Sequence, residues 1–216
     1  MERASPAVVG AILGGRAAMR AYDHEGLLAA LGALRAATRA ASDAHDFTER
    51  TGRGERVVMR RLRHFLLPAG GADAELAARL YSGDSALLPA MWRFLGAPPA
   101  SRGSLQAARD GAIRAMPRPH ADFLASLSSA TGVRAYVEAA DLTIHALASL
   151  ESEFNACLDE LTRFCSRRSQ LVCRYLPTYA AEFRKHEFEH DRRALLLGRL
   201  GLVQGRRARP RARPPP

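Results

Sequence analysis

The sequence predicts an all-α protein, and three observations carry that prediction. Apolar residues recur at three-and-four spacing over long stretches, the period of a helix with one buried stripe. Alternating runs rich in Val, Ile and Thr, which a sheet needs, are absent. Ala, Leu and Arg, all good helix formers, dominate the composition. With 216 residues, 47% of them hydrophobic, the chain is long enough for one sizeable core. One helical domain is expected over residues 1–204, followed by a tail at 205–216.

Ser5-Pro6 opens a first helix that reaches about residue 22, since proline suits the first helical turn. Residues 27–45 form a second, with Leu27, Leu28, Leu31, Leu34, Ala37 and Ala41 on one face. Residues 48–55 read as a polar, glycine-containing loop. A third helix over 57–67 is stopped by Pro68 and Gly70-Gly71. Short helices over 74–81 and 86–95 flank Ser82-Gly83-Asp84, and Trp92 is the expected core anchor there. After a loop at 96–103, helices are expected over 105–115, 119–128 and 132–140. The longest runs over 142–176 and ends against Pro177. A last helix covers 179 to about 200, with Gly201 near its end.

The net charge of +10 raises the question of nucleic acid. Lys185 is the one lysine, so the excess is arginine, and together with abundant alanine this reads as compositional bias. Half of the excess lies in Arg206, Arg207, Arg209, Arg211 and Arg213, interleaved with Pro210 and Pro214 to Pro216. Such a segment cannot bury a core and is expected to be extended or disordered. It carries no aromatic side chains to stack bases, so no specific nucleic-acid partner is expected. Three cysteines without framework spacing fit a reducing, cytoplasmic setting. The apolar run after Met1-Glu2-Arg3 is short and merges into a helical pattern, which fits a first helix better than a signal peptide. No apolar stretch is long enough to span a bilayer, so no membrane partner is expected. A monomer is expected.

The long helix carries apolar residues at Leu147, Leu150, Phe154, Cys157, Leu161, Phe164, Leu171 and Tyr175. The same stripe predicts an apolar residue at 168, and the chain has Arg168. A charge on a buried stripe is costly unless it is paired or reaches water, which marks position 168 as functional or as the remnant of a function. A different chemistry is spelled by His186-Glu187-Phe188-Glu189-His190, an H-E-x-x-H pattern. On a helix its two histidines can hold Zn2+ while Glu187 activates a water. A third ligand usually lies downstream, and here Asp191 alone is of the right kind and is badly placed. A solvated helix face is the competing reading of the motif.

Several segments together resemble the indoleamine 2,3-dioxygenase family. Met116-Pro117-Arg118-Pro119-His120-Ala121-Asp122-Phe123-Leu124 is similar to the family's Met-Pro-x-x-His-x-x-Phe-Leu run. Gln170-Leu171-Val172-Cys173-Arg174-Tyr175 is similar to the end of the family's next long helix. Weaker similarity lies at His45-Asp46, Arg61-Leu62-Arg63-His64-Phe65-Leu66, Tyr81-Ser82-Gly83 and Phe94-Leu95-Gly96-Ala97. The likeness covers most of residues 7–176.

The resemblance implies a helical bundle like the family's large haem domain, without its small amino-terminal domain. It implies haem as cofactor, and tryptophan or a related indoleamine with O2 as substrates, giving N-formylkynurenine. Arg63 matches the distal arginine that pairs with the substrate carboxylate, a task suited to a planar guanidinium fork. Val58 stands where the family has a larger distal aromatic. Gly96 and Ala97 lead into the family's haem-edge loop. In this chain the loop continues Pro98-Pro99-Ala100-Ser101-Arg102-Gly103, whose prolines lack N–H groups to offer a propionate. The family's iron-ligating histidine falls on Arg168. Arginine stays protonated and has no lone pair for a metal. Cys165, one turn earlier on nearly the same face, can offer a haem iron a thiolate; the competing reading, which is preferred, takes it with Cys157 and Cys173 as a small buried hydrophobe. His145 lies about six turns from position 168, and His120 belongs to the Met-Pro run, where the family uses it structurally.

Overall fold

The computed structural model describes residues 5–51, 86–96, 113, 116–127, 132–140 and 142–175, with backbone alone at 5, 44–51, 168, 169 and 171–175. Six helices are described: α1 (Ser5–Ala21), α2 (His24–Thr51), α3 (Leu87–Leu95), α4 (Arg118–Ser126), α5 (Val133–Ala139) and α6 (Ile144–Tyr175). No strand occurs among the described residues. The predicted helices at 57–67, 74–81 and 179–200 lie outside them. Of 105–115, Ile113 is described and is helical.

α1 and α2 form an antiparallel hairpin joined by Tyr22 and Asp23. The α1 end is closed by Asp23 N–H to the Ala18 carbonyl at 2.9 Å and Tyr22 N–H to the Met19 carbonyl at 3.3 Å. This is the two-bond cap that needs a left-handed residue at its centre. Tyr22 takes that conformation, with φ 55°. Asp23 then serves the next helix, its Oδ1 accepting the Gly26 N–H at 2.9 Å. That side-chain cap starts α2 at His24, three residues before the position suggested by the apolar pattern. At its other end α2 runs through Thr51, overriding the loop expected at 48–55. Residues 48–51 contain no glycine or proline, and the first breaker is Gly52.

α6 packs along α2. Cys157 Sγ donates to the Leu31 carbonyl at 3.2 Å. Arg35 Nε lies 2.8 Å from Glu153 Oε1, Arg39 Nη2 2.8 Å from Glu160 Oε1, and Arg167 Nη1 3.4 Å from Asp43 Oδ1. Along the three ion pairs residue numbers rise together on the two helices, so they run parallel. Between them lies the core: Leu27, Leu31 and Leu34 from α2 with Leu147, Leu150, Phe154, Leu158, Leu161 and Phe164 from α6, each at most 2% exposed. The described part of the predicted α6 stripe is buried throughout, and Trp92 of α3 is buried as expected.

α3, α4 and α5 pack at one side of this frame, α3 against α1, α4 and α5. α3 ends at Gly96, φ 68°, whose N–H reaches back to the Trp92 and Arg93 carbonyls. Here backbones touch. A Cβ on Gly132 would lie 2.8 Å from both Cα and N of Gly96, and 3.0 Å from the Arg93 carbonyl oxygen. The Arg93 guanidinium donates to the Leu124 carbonyl and so ties α3 to the end of α4. No described helix is long and apolar enough to cross a membrane.

Candidate functional site

The site expected from the sequence centres on the carboxyl-terminal third of α6. The backbone is helical through position 168. Leu161 and Phe164, seven and four residues before it, are 1% and 2% exposed. Residues three or four apart share a helix face, so position 168 lies on the face of α6 that carries Leu161 and Phe164. The neighbouring register position is turned differently: Arg167 reaches across to Asp43 of α2. Cys165 is half-buried and packs against the core.

Charge in this region is organised by Glu160, which is 6% exposed. Its Oε1 accepts Arg39 Nε at 3.1 Å and Nη2 at 2.8 Å, and Arg163 Nη1 at 3.4 Å. The hydrogen bond to Glu160 raises the Arg39 pKa above its ordinary value, with the Glu160 and Asp43 charges adding to it and burial opposing it. Glu153, Glu160 and Arg167 are spaced seven apart along α6, and their partners Arg35, Arg39 and Asp43 four apart along α2. Charges flanking an apolar seam at heptad spacing were the sequence signal for this ladder. The apolar pattern alone misses it, and also misses the burial of Thr38 and Ser42. Thr38 Oγ1 donates to the Leu34 carbonyl at 2.8 Å, while Ser42 Oγ and Trp92 Nε1 are buried without a partner among the described residues.

Gly96, expected at the cofactor-binding loop, is the left-handed cap of α3, pressed against Gly132. Its conformation and lack of a Cβ answer a packing requirement. Arg63, Val58 and Ala97 lie outside the described residues, as does the His186-Glu187-His190 motif.

The model of the family described as indoleamine 2,3-dioxygenase matches residues 83–207, more than half of the chain. The chain belongs to the indoleamine 2,3-dioxygenase family. The match covers α3 to α6 and therefore the Gly96 cap, the Met-Pro run and position 168. No curated protein matches the chain.

An indoleamine 2,3-dioxygenase carries haem, so the residues of α6 can be tested as iron ligands. Arg168 fails on chemistry, since a protonated guanidinium has no lone pair to donate. No group of three or more His, Cys, Asp or Glu able to hold a metal ion occurs among the described residues. His145 is exposed and about 35 Å along α6 from position 168. His120 is exposed on α4. Cys157 is buried against Leu31, and burial above all pushes its thiol up to about 12, far from the thiolate a metal needs. None of these four residues fits a proximal haem ligand at position 168; half-buried Cys165, one turn earlier, is the nearest described side chain of a kind that ligates haem iron.

Proposed function

We propose that this chain is an indoleamine 2,3-dioxygenase-type haem-domain protein in which the iron chemistry of the family is disabled. The family reaction is the oxidation of tryptophan or a related indoleamine by O2 to N-formylkynurenine. Membership supports the scaffold and the substrate class. What carries the departure is Arg168: the family resemblance sets the proximal histidine at this position, and the backbone of α6 is helical through it. With no lone pair there, no oxidation step follows from the described residues. What remains is recognition. Arg63 grips an amino-acid carboxylate through two charge-assisted hydrogen bonds, Val58 lines the distal side, and Gly96 with Ala97 forms the root of the loop at the cofactor edge. We place the protein as a monomer in a reducing, cytoplasmic setting.

The test uses the full chain, supplied with haemin and a reductant, under O2 with L-tryptophan. Formation of N-formylkynurenine is expected to stay at the level of free haemin. L-Tryptophan binding by calorimetry is expected to weaken at least about tenfold in Arg63→Ala. Enzymic turnover by the parent chain would overturn the loss of iron chemistry. Tryptophan binding that is absent, or indifferent to Arg63, would overturn retained recognition.

A further inference from the structure

We infer that the corner between α1 and α2 is a docking site for this chain's own Arg/Pro tail, residues 206–216. The inference is independent of the haem reading. At this corner the left-handed backbone of Tyr22 turns its ring outward, leaving the residue 74% exposed. A second ring lies beside it: the Tyr22 and Tyr136 centroids are 6.4 Å apart at 41°. The Tyr136 hydroxyl lies 2.7 Å from His24 Nδ1, which fixes that ring between α5 and the first residue of α2. The Tyr136 hydroxyl is held above its ordinary pKa, by burial first and then by Tyr22 and Asp23, so the Asp23 carboxylate lies within electrical reach of the pair.

The corner carries what a proline- and arginine-rich segment seeks. Proline rings in an extended polyproline helix pack on splayed aromatic faces, with little conformational entropy left to lose. Arginines in such a segment pair with carboxylates at the rim. In a chain of net charge +10, this turn presents exposed Asp23 and Glu25, opposed by Arg20 at the end of α1. Asp23 also lines an open groove of about 530 Å³ between α1 and α2, which runs by Gly26 to Gly10 and is not lined by either tyrosine. Its floor is glycine and alanine, and a Cβ built on Gly10 or Gly14 meets no other atom within 4 Å. The occupant needs side chains of its own to fill that space.

The tail matches in composition and in reach. It reads Arg206-Arg207-Ala208-Arg209-Pro210-Arg211-Ala212-Arg213-Pro214-Pro215-Pro216. As a polyproline helix it spans about 34 Å, more than the roughly 17 Å of α1 between Gly10 and Ala21. With the helix that the sequence predicts over 179–200, the 30 residues between Tyr175 and Arg206 extend up to about 60 Å, and the parallel α6 is about 48 Å long. The tail therefore reaches the α2 start from the far end of α6.

Trypsin cleavage of the full chain after Arg207 and Arg211, followed by mass spectrometry, tests this. Cleavage is expected to be at least about tenfold slower than in a synthetic peptide of residues 205–216, because the protease acts on the undocked fraction. Tyr22→Gly removes the ring and suits the left-handed backbone, and Asp23→Asn removes the charge while keeping the helix cap. Each is expected to bring cleavage towards the peptide's rate, with unchanged circular dichroism. Cleavage of the parent tail at the peptide's rate, or equal protection in both variants, overturns the inference. Protection that rises with protein concentration assigns the tail to a second copy and overturns docking within one chain.

Discussion

Arg39 and Glu160 form a two-point clasp between α2 and α6, with Nε at 3.1 Å and Nη2 at 2.8 Å from one carboxylate oxygen. The other oxygen, Oε2, is buried without a partner among the described residues. Glu160 thus holds the two longest described helices in register two turns before position 168. Glu160→Ala strips Arg39 and Arg163 of their acceptor, but both are more than half exposed and can turn to water. A loss of about 2 kcal/mol is expected, and about half that for Glu160→Gln, read by urea unfolding. No change in either variant would mean that the seam is held by its apolar residues alone.

The Gly96–Gly132 contact is expected to be intolerant of any side chain. In Gly132→Ala the new methyl meets backbone atoms at 2.8 Å, which cannot rotate away as a side chain would. α3 and α5 must separate, at a cost of more than about 2 kcal/mol. Gly96→Ala strains a left-handed cap instead, at about 1–2 kcal/mol. Thermal unfolding of the two variants separates the effects, and equal, small shifts would contradict the close approach.

Cys157 gives the protein an alkaline limit. Its thiol is pushed up to about 12, chiefly by burial, with Glu153 adding to the shift. A raised folded pKa means that the stabilisation is whole below the unfolded value of about 8.5 and is lost as pH rises towards 12. Unfolding free energy is therefore expected to fall across that window, with a shallower slope in Cys157→Ala. Native-state alkylation is expected to spare Cys157 and to modify half-buried Cys165 before it. Equal modification of the two would contradict the burial.

Asp23 joins two helices, closing α1 with its N–H and opening α2 with its carboxylate. Asp23→Ala is expected to cost about 1 kcal/mol, and Asp23→Asn a few tenths, because asparagine caps as well as aspartate. Chemical denaturation of the pair is the measurement. A full loss in Asp23→Asn would mean that charge rather than the hydrogen bond starts α2.

The buried stripe of α6 was legible because helical period 3.6 is written directly into Leu147, Leu150, Phe154, Leu161 and Phe164. The start of α2 was less so, since Asp23 and Glu25 are local signals outweighed in the sequence by the leucine pattern from Leu27. Glu160 was illegible from hydropathy: an acid beside the stripe reads as solvated until the parallel register with α2 supplies Arg39. Tyr22 and Tyr136 are 114 residues apart in sequence, and only the fold brings their rings together. Of the site, the sequence marked position 168 through the conflict between stripe and charge. It marked Gly96 through family likeness, where the structure shows a helix cap and a backbone contact. Arg63, Val58 and Ala97 stand on the resemblance.

The account turns on position 168, and one comparison tests it most directly. The parent chain and Arg168→His are titrated with haemin, and Soret spectra are taken in the ferric, ferrous and CO-bound states. Restoring an imidazole lone pair at this place on α6 is expected to tighten haemin binding at least about tenfold, or 1.4 kcal/mol, with the Soret shift of axial histidine ligation appearing in the variant alone. Identical spectra and affinities would contradict the assignment of Arg168 to the iron-ligand position.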